Sequence, residues 1–480
     1  MFDLVITDGH VVTPDHEGLA DVGVIGERIA AIGEPGTLSH DGAQVIDARD
    51  RYVLPGGIET HAHIHEIAHR GWTGGREVWL QGPLGASRAA AFGGTTTVVS
   101  FAFMGVHGPA GNDPLAAVRD RDAIFSGSSY VDYAFNPAIV GAPAPELIAN
   151  IGPALRGGAG VFKVFTTDVT TEQHGVRIPD GHLADVMAEL AAHGGMLMVH
   201  AEQDDLVLHM EAKLAAAGED HWYNLHLVHS SLSEELAFGR VIRLARESGT
   251  GVFFAHVTGR SGADAIRHAR AAGQPIYGEV LHNYLCFTAE DYKTPDGGKI
   301  QTYPALKTSD DQDALWAGLV DGHLTVVATD EYTTDYATKV GGRTVQTACG
   351  GHAGIETRGI IAFSEGVVRG RMSLRRFVEV FATAPAKVMG LHPRKGIIAP
   401  GADADITIWD PAVERTIGME HLHHDGDYSI WEGWNVTGWP VTTISRGRPV
   451  VLAGELVGTP DHGRWQQRFV APDVLAGPAA

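Results

Sequence analysis

Cysteine is almost missing from this chain: only Cys286 and Cys349 occur in 480 residues. Neither sits in a zinc-binding or redox spacing. The two could pair, but reduced thiols in a cytoplasmic protein are the plain expectation. Long apolar runs are missing too, and with no stretch of eighteen there is no candidate transmembrane helix. The opening MFDLVITDGH has neither the basic start nor the apolar segment of a signal peptide. Without such a signal, the NVT at Asn435 carries no weight as a glycosylation site. Basic charge is scarce: 36 Lys and Arg face 58 Asp and Glu, a formal net charge of -22 that repels phosphate and argues against a nucleic-acid partner. A disordered signature is also lacking, because 44% hydrophobic and 20% charged residues are ordinary globular values.

What is present is length, glycine and a change of texture along the chain. The length suggests about two or three domains, and 61 scattered glycines imply many tight connections. DLVIT, DVGVIG and RIAAIG read as short strands of a small β-domain over 1–54. From 55 to 385 short apolar runs recur: TTTVVSFAF, YVDYAF, GVFKVF, GGMLMVHAE, GVFFAHV, PIYGEV and LTVVATD. Between them lie helical patterns such as ADVMAELAAHG and ADAIRHARAAG, each stopped by Gly. Strands apolar on both faces, alternating with helices, imply a parallel sheet. About eight such units predict an α/β fold, a closed (β/α)8 TIM-like barrel. A dinucleotide-binding sheet is the runner-up, but RGGAGVFK lacks the third glycine. Strand texture returns in ADADITIWD and TTISRGRPVVLAGELVG, so 386–464 is expected to join the head segment in one β-sandwich, with 465–480 an arm or tail.

The polar residues that end the apolar runs carry the functional signal. LPGGIETHAHIHE spaces His61, His63 and His65 two apart, and an extended chain points such side chains to one face. They either bind a cation together or face water together. MLMVHAE ends in His200, VFFAHVTG in His256 and VVATDE in Asp330, while GVFKVF carries Lys163 inside the strand. Singly, each has an ordinary reading: a satisfied core histidine, a snorkelling lysine, a helix-capping aspartate. Jointly they lie at the mouth of the barrel, where active sites of this architecture sit, and add up to a two-metal site. An ammonium cannot ligate a metal, but CO₂ converts a neutral lysine amine to an anionic carbamate. That group can bridge two cations about 3.5–4 Å apart.

The order H-x-H, Lys, His, His, Asp resembles the amidohydrolase superfamily, and within it the cyclic amidohydrolases of the hydantoinase and dihydropyrimidinase type. LPGGIETHAH resembles that family's opening motif, GEVLHNYL its sixth-strand motif, GIETR a late barrel motif, and GIIAPGADADITIWDP with SRGRPVV its returning sandwich. The resemblance spans nearly the whole chain. It implies that His61, His63 and Asp330 hold one divalent metal, that His200 and His256 hold the other, and that N6-carboxylated Lys163 bridges them. The metals would be zinc, with manganese, cobalt or iron also suited to these ligands. It further implies attack by a bridging hydroxide on a cyclic amide, with Asp330 as the catalytic base and then acid.

The family's substrate residues are less complete. The position of its oxyanion-donating Tyr falls on Asp168, with Thr166, Thr167 or Tyr332 as replacements. Tyr303 stands where relatives have Ser, Gly350 where they have Asn, and Glu331 where many have His. His65 replaces the Arg of dihydroorotases, which argues against that activity. Substrate contacts are therefore expected from His65, Thr167, Asp168, Tyr303 and Gly350. A hydantoin, dihydropyrimidine, cyclic imide or related lactam remains open as substrate. A non-catalytic assembly protein of the same fold and an amidohydrolase of linear amides are the alternatives; superfamily deaminases generally lack the bridging lysine. Relatives are commonly oligomers, which implies a homotetramer or homodimer.

Overall fold

The computed structural model describes residues 1–13, 16–105 and 111–478; the last two residues of the expected tail lie outside them. The head segment forms β1 (Leu4–Val12), β2 (Glu17–Ile25), β3 (Arg28–Gly33), β4 (Gln44–Asp47) and β5 (Tyr52–Pro55). The barrel strands follow as β6 (Gly57–Ala62), β7 (Thr95–Gly105), β8 (Asp132–Val140), β9 (Val161–Phe165), β10 (Met196–His200), β11 (Gly251–Phe254), β12 (Ile276–Leu281) and β13 (Val326–Ala328). The chain returns in β14 (Ile406–Thr416), β15 (Asn435–Ser445), β16 (Arg448–Leu452) and β17 (Glu455–Leu456).

β6 to β13 lie side by side in chain order, all parallel, as helical crossovers require. The seam between the first and last strands is closed just beyond them, where His63 N donates to Glu331 O (2.8 Å) and Glu331 N to His61 O (3.2 Å). This is the expected barrel, and its strands are buried throughout on residues such as Val99, Phe162, Leu197, Phe253 and Val327. Asp180–His193 stops at the predicted Gly194 (φ 75°), a left-handed conformation that costs glycine nothing, whereas Arg260–Ala271 ends at Ala272, one residue before the predicted Gly273.

Head and tail segments pair into one mixed sheet with the order β17-β16-β15-β14-β5-β1-β2-β3, and β4 on β1. Ile6, Val22, Ile46, Ile406 and Ile444 share a core separate from that of the barrel. The chain passes from the sheet into the barrel at a single residue. β5 belongs to the sheet, β6 to the barrel, and Gly56 between them donates its N–H to Asp405 O (2.9 Å). A Cβ there would lie 2.3 Å from Thr96 Oγ1, so the close junction that launches the H-x-H strand requires glycine. The final segment runs under the barrel, pairing Trp465 with Tyr133 and Arg468 with Ala159.

Candidate metal centre and active site

His61 is the last residue but one of β6, Lys163 sits inside β9 and His200 ends β10, while His256 and Asp330 follow β11 and β13 by two residues. Parallel strands in register bring these positions to the same mouth. His256 (φ 37°) and Asp330 (φ 51°) adopt left-handed backbone conformations, uncommon outside glycine and at home where a strand end must turn a side chain inward.

The side chains converge. Asp330 Oδ1 lies 3.0 Å from His61 Nε2 and 3.3 Å from His63 Nε2. The ligand atoms of these three residues all fall within 4.8 Å of one another. His256 stands beside them, its ring centroid 5.5 Å from that of His61 and 4.4 Å from that of His200. Lys163, 1% exposed, reaches in from below, with its Nζ 5.5 Å from the Phe101 ring and 5.1 Å from the Phe165 ring and no hydrogen-bond partner among the described residues. A buried, unpaired amine among imidazoles and a carboxylate is a costly arrangement unless something else binds there.

Carboxylates stand behind three of the four histidines. Glu279 meets His61 Nδ1, Glu66 meets His63 Nδ1 at 2.8 Å, and Glu202 meets His200 Nε2 at 2.8 Å. Such backing fixes the ring and the tautomer, leaving the other nitrogen free to point inward. Glu279 also accepts from Thr60 Oγ1 (2.9 Å) and from the His256 backbone N–H (3.2 Å), tying three strands together. Glu202 is shared with His229 Nδ1 at 2.8 Å. None of these acids was singled out from the sequence. Glu279 carried a visible signal, since an acid within the apolar run IYGEVL is as anomalous as Lys163 within VFKVF.

The electrostatics fit a cation site. Burial pulls Lys163 down to about 8 against the attraction of Asp330 and Glu279, so its neutral amine is within reach near neutral pH. Burial, with His200 and Lys163 nearby, drives His256 well below the usual imidazole range, and burial lowers His200 despite Glu202. Both therefore offer lone pairs. Burial opposes the charged form of His63, yet Glu66 and Asp330 outweigh it and push the ring up to about 9. At Asp330 burial favours the neutral acid, but His61 and His63 hold the carboxylate well below its usual range. In this pair a cation can take the place of the shared protons. A second group of acids, Asp132, Asp403 and Asp405, is already neutralised. Lys395 Nζ lies 2.7, 3.2 and 2.5 Å from their oxygens, so an ammonium occupies that position.

The cavity above these residues is walled by Trp72, Phe165, Val169, Tyr303, Tyr332 and Gly350. Tyr303 stacks on Trp72 (5.0 Å, 7°), and its hydroxyl donates to Ala348 O (2.8 Å). A Cβ on Gly350 would lie 2.3 Å from Tyr303 Cδ2, so the ring closes down on a bare backbone. Tyr303 and Gly350 thus reach the cavity, whereas three other expected contacts are placed outside its wall. His65 packs on Trp79 (4.8 Å) and gives its carbonyl to Arg121 Nη1 (2.9 Å). Thr167 Oγ1 donates to Asp204 Oδ1 (3.0 Å). The Asp168 carboxylate accepts from Arg177 N (2.8 Å) and meets His174 Nδ1 (3.0 Å). Trp72, Phe165 and Val169 line the cavity without having been expected there.

Comparison with known proteins agrees with this geometry. Residues 52–450 match the model of the amidohydrolase family. A D-hydantoinase of Rhizobium radiobacter is 34% identical over 471 residues, covering 97% of this chain and 99% of the relative. Among solved structures, the dihydropyrimidinase of Brevibacillus agri superposes with a TM-score of 0.90 at 30% identity, over 97% of this chain and 98% of that one. The L-hydantoinase (dihydropyrimidinase) of Arthrobacter aurescens does so with 0.86 at 27%, over 98% and 100%.

Proposed function

The chain belongs to the amidohydrolase family, among its hydantoinase-type hydrolases of cyclic amides, and we propose that it opens a cyclic amide ring with the help of two divalent cations held at the barrel mouth. His61, His63 and Asp330 would hold one cation and His200 and His256 the other, with Lys163, once carboxylated by CO₂, serving both. One observation carries this reading: the Lys163 amine is buried, has no hydrogen-bond partner among the described residues, and lines one cavity with four histidines and Asp330. A carbamate there would replace the unpaired buried amine with two anionic oxygens able to act as ligands.

When bound, the cations, with zinc favoured by this ligand set, would acidify water and polarise the amide carbonyl. The chain's own residues do the rest. Asp330 accepts the proton of the attacking water on its carboxylate and passes it to the ring nitrogen as the C–N bond breaks. His61 and His63 keep that carboxylate ionised and correctly turned. Glu279, Glu66 and Glu202 hold the imidazoles in place behind it. The aromatic wall of Trp72, Phe165 and Tyr303 shelters the ring from bulk water. Substrates within reach are hydantoins, dihydropyrimidines, cyclic imides and lactams.

The test is turnover. The protein loaded with zinc, manganese or cobalt is offered hydantoins, dihydrouracil, succinimide and lactams, and ring opening is followed by loss of ultraviolet absorbance or by chromatography. Activity on at least one ring is expected, abolished by chelation and restored by adding metal. Undiminished turnover in metal-free protein would refute the cation-assisted reading.

A further inference from the structure

Two residues of the cavity wall carry a buried side-chain nitrogen without a hydrogen-bond partner among the described residues. One nitrogen is Lys163 Nζ, which the cation site accounts for. The other is Nε1 of Trp72, a residue only 8% exposed. An indole N–H can only donate, and native folds rarely leave a buried donor unpaired. The ring is also held in one plane. Tyr303 covers a face at 5.0 Å, and Tyr332 and His69 pack edge-on, each at 5.7 Å. The same Tyr332 ring is 5.7 Å from His63, so the indole stands one aromatic ring away from the proposed cation site.

Among the other neutral wall side chains, the only one still able to donate is the Tyr332 hydroxyl. The Tyr303 hydroxyl donates to Ala348 O, the Tyr332 hydroxyl accepts from the His69 backbone N–H (3.0 Å), and Phe165, Val169 and Gly350 carry no side-chain donor.

We propose that the Trp72 indole N–H donates to a second carbonyl oxygen of the substrate ring, the one that is not attacked, and thereby selects rings with two carbonyls over simple lactams. The inference rests on the cyclic-amide reading above and narrows it: hydantoins, dihydropyrimidines and cyclic imides carry the second acceptor, and δ-valerolactam does not. A wall indole serving only as an apolar surface would treat the two classes alike.

The experiment compares metal-loaded wild type with Trp72→Phe, and with a variant carrying β-(3-benzothienyl)alanine at position 72, which keeps the bicyclic ring and replaces N–H by sulfur. Hydantoin, glutarimide and δ-valerolactam are the probes. Loss of one neutral hydrogen bond should lower kcat/KM for the two-carbonyl rings about three- to tenfold relative to δ-valerolactam, mainly through KM. The benzothienyl variant separates loss of the donor from loss of packing. Equal effects on all three rings, or none, overturn the role. Calorimetric binding of the same probes is measured in parallel. If wild type turns over no ring yet binds hydantoin in a Trp72-dependent way, the selectivity role stands and the hydrolytic reading falls. If binding is also indifferent to Trp72, both fall.

Discussion

Lys163 lies on a strand whose flanking residues, Phe162 and Val164, are fully buried. An amine at such a position needs a partner, a neutral state or a chemical change. Burial lowers it, Asp330 and Glu279 pull the other way, and the outcome near 8 leaves a fraction able to react with CO₂. Lys163→Ala should therefore lose most bound metal in elemental analysis. Acetate or propionate should restore part of it by standing in for the carbamate oxygens. Metal content equal to wild type would remove the bridging role. The neighbouring acids act differently. Asp168, three residues beyond the end of β9, spends its carboxylate on the Arg177 backbone N–H and His174 and does not line the cavity.

Among the elements, the barrel seam depends on one buried cation. Arg358 Nη1 donates to Ile58 O and Val327 O, both 2.9 Å, and Nη2 donates to Thr95 Oγ1 (3.0 Å), so a single side chain fastens β6, β7 and β13. Its Nε faces Glu59 Oε2 at 3.4 Å. Burial raises Glu59 to about 7 even with Arg358 drawing it down. Arg358→Met would strand that acid and free three strand ends, and should destabilise by about 3–5 kcal/mol. Denaturant unfolding measures this, and adding Glu59→Gln should recover part of the loss because the two residues share one interaction. An unshifted midpoint would mean that the seam is held by its backbone pairs alone. Since Glu59 also accepts from the His61 backbone N–H (2.9 Å), the seam and the first ligand strand are mechanically one unit.

At the scale of the whole molecule, an ion cluster joins barrel to terminal sheet. Lys395 and Arg446 lie between Asp132 at the start of β8 and Asp403 and Asp405 ahead of β14, with Arg446 Nε 3.0 Å from Asp132 and Arg28 Nη1 2.7 Å from Asp403. Burial disfavours the Lys395 ammonium, but Asp132, Asp405 and Asp403 outweigh it and raise the group above its ordinary 10.5. A raised folded-state value means that this stabilisation is complete below about 10.5 and is lost as pH climbs through the folded value. Lys395→Met should thus be less stable than wild type at neutral pH by about 3–5 kcal/mol. The gap should shrink as alkaline pH discharges the wild-type lysine. A gap constant from pH 8 to pH 12 would show that the cluster contributes packing rather than charge.

The amino-acid sequence by itself determined the alternation of apolar runs and helices, the glycine stops, and the anomaly of polar residues at run ends. These are local patterns, written in the period of a strand or helix and in the cost of burying charge. They were enough for the barrel, for the terminal segments folding together, and for picking out His61, His63, Lys163, His200, His256 and Asp330 as residues that meet. What only the tertiary structure decided is which way loop side chains turn and what backs the ligands. Thr167 and Asp168 follow their partners Asp204, Arg177 and His174 out of the cavity, while Trp72, from the loop after β6, enters it and packs against Tyr303 and Tyr332. Glu279 reaches His61 across 218 residues. Such contacts are chosen by shape and charge meeting at long range, and no spacing along the chain encodes them.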